Sequence, residues 1–76
     1  MRSKKKVFED LTFENNEANI TFPNGYSAKV TIHRTLNPYQ IECIPVNQQI
    51  SDEPIAYLTQ EEVTQIMKEI QSLRPL

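Results

Sequence analysis

Between residues 7 and 46 apolar and polar side chains largely alternate, and from residue 60 to 73 the apolar ones recur at three- and four-residue spacing. A period of two belongs to a strand with one covered face, and a period near 3.6 to a helix with an apolar stripe. A first strand is predicted through Val7, Glu9, Leu11 and Phe13 on one face and Phe8, Asp10, Thr12 and Glu14 on the other. Asn15-Asn16, both tolerant of positive φ, then makes a two-residue turn that sets Phe13 opposite Ala18 and Leu11 opposite Ile20.

The next turn is fixed by what each register does to the apolar set. A two-residue Asn24-Gly25 loop would place Ile20 opposite Lys29 and split the apolar residues between the two faces. A three-residue loop keeps them together: Pro23 and Asn24 fill the centre of a type I turn and Gly25 takes the left-handed position of the bulge. Phe22 then pairs with Tyr26, Ile20 with Ala28 and Ala18 with Val30. A four-residue connection over residues 35–38 pairs Arg34 with Tyr39, Ile32 with Ile41 and Val30 with Cys43. Residues 47–54 form a polar loop with Ile50 turned inward, and residues 55–58 offer a short fifth strand.

The helix start is legible to the residue. Thr59 can accept from the Glu62 amide while the Glu62 carboxylate accepts from the Thr59 amide, and Leu58 can staple to Val63. Val63, Ile66, Met67, Ile70 and Leu73 then draw one stripe, with Arg74 near the carbonyl end and Pro75 unable to continue. The stripe is the natural cover for an inward sheet face of Leu11, Phe13, Ile20, Phe22, Ala28, Val30, Ile32, Ile41 and Cys43. The expected fold class is therefore α+β: an antiparallel meander of four strands, with room for a fifth, and one C-terminal helix on one face.

Composition adds limits. Seventy-six residues make one small domain with a modest core, and no apolar run approaches the length of a membrane span or, behind the first Met, a signal peptide. A cytoplasmic protein is expected, in which Cys43 stays a free thiol and the Asn19-Ile20-Thr21 sequon stays unglycosylated. Charge is unevenly spread: Arg2, Lys4, Lys5 and Lys6 precede every acid, and from Val7 onward ten acids face four bases. The reading is a flexible basic arm, residues 1–6, on an acidic domain, residues 7–76.

Chemistry is sparse. One His and one Cys leave no catalytic or metal-ligating constellation, and Gly25 as the sole glycine excludes a glycine-rich phosphate loop. No enzyme, cofactor or metal is expected. The outward sheet face carries Thr21, Lys29, Thr31, His33 and Glu42, with Glu14 and Glu17 beside them, and Phe8, Ile44 and Val46 are apolar residues on the outer strands. These ten are the candidate partner-binding residues, because outward apolar side chains on strands call for a cover: another protein, a second copy in a homodimer, or the chain's own loops. The basic arm, Arg2, Lys4, Lys5 and Lys6, is the candidate contact for nucleic-acid phosphates, though it lacks interleaved aromatic residues.

Phe22-Pro23-Asn24-Gly25-Tyr26 and the run Ile55-Ala56-Tyr57-Leu58-Thr59-Gln60-Glu61-Glu62-Val63 resemble small accessory proteins of bacteriophages and prophages. That resemblance implies a protein that acts by binding a host or phage protein, as do inhibitors of bacterial defence systems of similar size and acidity. It carries over no functional residue.

Overall fold

A computed structural model describes residues 5–76. In chain order it contains a 3-10 turn at Phe8–Asp10, strands β1 (Glu17–Thr21), β2 (Ser27–Ile32), β3 (Tyr39–Ile44) and β4 (Ile55–Leu58), and helix α1 (Gln60–Gln71). The four strands form one antiparallel sheet in the order β1-β2-β3-β4, and α1 packs mainly across β3 and β4. This is an α+β fold of two layers.

The β1–β2 hairpin has the register that the apolar pattern demands, with Ala18 opposite Val30 and Ile20 opposite Ala28. Its loop is closed by Phe22 N–H to Tyr26 C=O (2.8 Å) and Gly25 N–H to Phe22 C=O (3.0 Å). Gly25 sits at φ +94°, a region where a side chain is strained, and an added Cβ would stand 3.3 Å from Leu76 Cβ. The helix cap also forms as read: Glu62 N–H donates to Thr59 Oγ1 (3.2 Å) and Thr59 N–H to Glu62 Oε1 (2.8 Å).

Three expectations are corrected. The segment predicted as a first strand is not one. Asn15 and Asn16 do take positive φ (53° and 63°), and Glu14 and Glu17 exchange two main-chain bonds of 2.8 and 3.1 Å, but pairing ends there. Upstream, side chains of α1 take up the main-chain groups instead. Gln71 accepts from Lys6 N–H (2.7 Å) and donates to Lys6 C=O (2.8 Å), a strand-like pairing made by one amide side chain. Phe8 N–H donates to Thr64 Oγ1 (3.1 Å). The 3-10 turn sets Phe8 and Leu11 three apart on one side, and Asp10 closes it by accepting from Val7 N–H at 2.8 Å. Phe8, Leu11 and Phe13 therefore still reach the core, as part of the helix layer.

Phe8 is consequently not an outward edge residue. Its ring lies 5.0 Å from Tyr39 and 5.7 Å from Phe13, closing the core at the end where β3 begins. The β2–β3 register is also displaced by two residues, pairing Ile32 with Tyr39, Val30 with Ile41 and Ala28 with Cys43. The loop is still four residues, 34–37, closed by His33 N–H to Pro38 C=O at 2.7 Å. Because a two-residue slip keeps every side chain on its face, the apolar faces still coincide.

The core lies between sheet and helix. Val30, Ile41, Val63, Met67 and Ile70 are fully buried, joined by Phe22, Ala28, Cys43, Leu58 and Leu73. Ile50 packs against this cluster from the 47–54 loop, which Asn47 anchors by donating to the Tyr26 hydroxyl at 2.9 Å. The short strand at residues 55–58 is real and forms one sheet edge; Ile55 faces Ile41 and Leu58 faces Tyr39, so Ala56 and Tyr57 together oppose one residue of β3. Tyr57 absorbs this bulge at φ +61°.

Candidate interaction surface

The side of the sheet turned away from α1 has no covering layer among the described residues, and its composition follows from strand parity. Thr21 and Ser27 face each other at one end, with hydroxyls 3.3 Å apart, and Ile44 lies opposite Ser27. At the centre Lys29 stands between Asn19 and Glu42, and Thr31 between Glu17 and Gln40. Ile44 and Val46 are 42% and 58% exposed, so neither the N-terminal segment nor the 47–54 loop covers them, but only Ile44 lies on this face: Val46 follows the end of β3 and lines a hollow with Tyr26, Asn47 and Arg74.

Charges on this face are partly settled internally. Lys29 Nζ lies 3.0 Å from Glu17 Oε2. That hydrogen bond and charge, with a smaller contribution from Glu42, hold the Lys29 ammonium above its ordinary pKa. Of the three acids among the candidate partner-binding residues, Glu17 is thus paired across the strands, whereas Glu42 lies opposite the same lysine and Glu14 is exposed at the turn, so the acidic character of the domain does not make this an acidic face. The face is mixed in charge and polar at its centre.

The far end of the face holds a hollow of about 170 Å³ lined by His33, Thr35, Gln40, Ala56 and Tyr57. His33 Nε2 faces Gln40 Oε1 at 3.1 Å. Tyr57 is 70% exposed, pushed out by the bulge, and Leu36 in the neighbouring loop is 96% exposed. The sequence reading missed both residues. Tyr57 left no signal because tyrosine seldom adopts positive φ, whereas Leu36 was visible as an apolar residue among Arg34, Thr35, Asn37 and Pro38.

The remaining candidates separate. Lys5 donates to Ser72 Oγ and Lys6 is held through its main chain by Gln71, so both lie against the end of α1, while Arg2 and Lys4 lie outside the described residues. Cys43 is buried, its thiol directed to the Pro45 carbonyl at 3.4 Å, and burial pushes its pKa up, away from the thiolate a nucleophile needs. Among the described residues no three His, Cys, Asp or Glu side chains converge as metal ligands, and no buried side-chain nitrogen or oxygen lacks a hydrogen-bond partner. No described helix is long and apolar enough to cross a membrane. Compared with known proteins, the chain matches no family model, no curated protein and no solved structure.

Proposed function

We propose that the chain is a non-enzymatic protein-binding module that engages a protein partner with the uncovered face of its sheet. The observation that carries this reading is a sheet with one face packed on α1 and the other bearing exposed Ile44 at one end and exposed Tyr57 at the other, with exposed Val46 and Leu36 in the loops that leave β3 at those two ends. Apolar side chains at both ends of a polar strip give a docking surface anchors, and the polar centre keeps the free protein soluble. Thr31, Lys29 and Glu42 between them supply hydrogen-bonding and charge selectivity, and Glu14 at the turn adds negative charge at the rim.

In its finer form the proposal places this module in the cytoplasm of a bacterial or phage-infected cell, as an accessory protein or inhibitor of the phage type. Small size, an acidic body and an adhesive face without a catalytic constellation all suit such a role. The test compares the immobilised wild-type protein with an Ile44→Lys, Thr31→Arg double variant against lysates of bacteria with and without phage infection. Both substitutions replace outward side chains, so circular dichroism and melting should be preserved. A stoichiometric protein held by the wild type and lost from the variant supports the reading. A partner retained equally by both removes the outer face from the account.

A further inference from the structure

We infer that the chain forms a two-fold dimer by antiparallel pairing of β1 with β1 of a second copy, joining two four-stranded sheets into one of eight strands. This surface is the sheet's edge, separate from the face assigned above, so either reading can fail without the other.

The two edges of the sheet are built differently. The β4 edge is four residues long, follows Pro54 and is broken by the left-handed bulge at Tyr57, the devices by which an edge is made unfit for pairing. The β1 edge has none of them. It runs regularly for five residues, and from Ala18 to Thr21 it carries no charge and no proline. Its one acid, Glu17, is drawn over the face onto Lys29 at 3.0 Å, and Glu17's own main chain is already bonded to Glu14.

Parity says which groups are left. Ile32 N–H donates to Asn16 C=O and Phe22 N–H to Tyr26 C=O, so the even-numbered residues of β1 bond to β2. The N–H and C=O of Asn19 and Thr21 therefore point outward from the edge, and they have no partner among the described residues. Glu17 is committed and Pro23 has no N–H, so a two-fold through Ile20 is the register that uses everything available. Asn19 pairs with Thr21 of the second copy and Thr21 with its Asn19, four main-chain bonds in all. Ile20, only half-buried in the single chain, then meets Ile20 of the other copy in the close, non-hydrogen-bonded position, and Ala18 meets Phe22.

Size and charge both fit this occupant. Ala18 is small where Phe22 is large, and the two Glu17 side chains end up roughly 20 Å apart along the strands, so no like charges oppose one another. Because α1 packs mainly on β3 and β4, it stands away from the junction.

Sedimentation velocity of the full chain from micromolar to millimolar concentration tests the dimer, and cross-linking tests the register. Twice the monomer mass is expected at the upper end. Asn19→Pro removes two of the four bonds per dimer at a position that edge strands tolerate, and should weaken association by about thirtyfold or more with an unchanged melting profile. Should that variant fail to fold, Ile20→Cys gives an independent reading. Its two thiols face one another in the close pair and should form a symmetric disulfide under mild oxidation, faster than those of Thr31→Cys. A monomer at every concentration overturns the inference. So does a dimer indifferent to Asn19→Pro, or one in which Ile20→Cys cross-links no faster than Thr31→Cys.

Discussion

Replacing Asn24 with alanine should cost far more than a turn residue ordinarily does, because its side chain joins the β1–β2 loop to the end of the helix. Asn24 Nδ2 donates to Ile70 C=O at 2.8 Å and to Leu73 C=O at 3.3 Å, while its Oδ1 accepts from Tyr26 N–H at 3.1 Å. The two carbonyls belong to the last turn of α1 and its exit; Ile70 C=O also accepts from Leu73 N–H at 3.1 Å, whereas Leu73 C=O lies beyond the last helical bond and takes its donor from Asn24. Alanine removes all three bonds, taking these partners from Leu73 C=O and Tyr26 N–H beside two buried side chains, while Ile70 C=O keeps the Leu73 N–H. At about 0.5–1.5 kcal/mol each, with the longest at the weak end, the loss is about 2–3 kcal/mol. A domain of this length holds about 4–11 kcal/mol in total, so the melting temperature should fall by roughly 10–20 °C. Asn24→Asp separates this account from a general turn effect. Aspartate keeps the acceptor for Tyr26 but sets a carboxylate against carbonyls at the negative end of the helix dipole, so at neutral pH it should be less stable than Asn24→Ala. That carboxyl should have a raised pKa in the folded state, so the deficit should shrink as pH falls through it. Urea titrations followed by circular dichroism read both variants. A loss below about 0.5 kcal/mol for Asn24→Ala, or equal stability of the two at neutral pH, would refute the reasoning.

Further consequences concern the N-terminal segment, the bulge and the outer-face ion pair. Gln71→Ala removes both bonds to Lys6 and should cost about 1–2 kcal/mol, with amide exchange accelerated at Lys6 and Phe8 while the β2–β3 amides keep their protection. Tyr57 pays a left-handed cost for an exposed side chain, so Tyr57→Gly should be neutral or stabilising by about 0.5 kcal/mol and Tyr57→Val destabilising by about 1–2 kcal/mol; the same sign for both would show that the bulge is not strained. Glu17 raises the Lys29 pKa, so from neutral pH up to the ordinary lysine value the pair contributes in full, and its contribution is lost as pH rises through the raised one. The alkaline fall in stability should be shallower in Lys29→Met, and an identical alkaline limb in the two proteins would exclude the coupling.

How much of this was legible depends on whether the controlling partner is near in sequence. The helix start was readable because Thr59 and Glu62 are three apart and complete each other's bonds. The β1–β2 hairpin was readable because Pro23, Asn24 and Gly25 each suit one slot and only one register keeps the apolar set on one face. The first segment was misread because its backbone partners, Thr64 and Gln71, lie more than fifty residues away, and its alternation also suits a chain lying beside a helix. A slip of two in β2–β3 was invisible to face parity: residues 34–37 and 35–38 are equally short loops, and both registers match apolar with apolar. As for the candidate surface, the outward row of Thr21, Lys29, Thr31, His33 and Glu42 followed from period two. Its closing features did not: Lys29 reaches diagonally to Glu17 past the directly opposite Asn19, a side-chain choice that the register leaves open, and the exposure of Tyr57 depends on a backbone angle that tyrosine rarely takes.

The central claim is that the uncovered sheet face is the working surface, and the most direct measurement is the amide hydrogen-exchange footprint of the captured partner on this chain. Slowed exchange should concentrate in β3 and the loops at its two ends, around Leu36 and Val46, with α1 unchanged. A footprint on α1, or a bound partner that leaves β3 and those loops unprotected, would contradict the account.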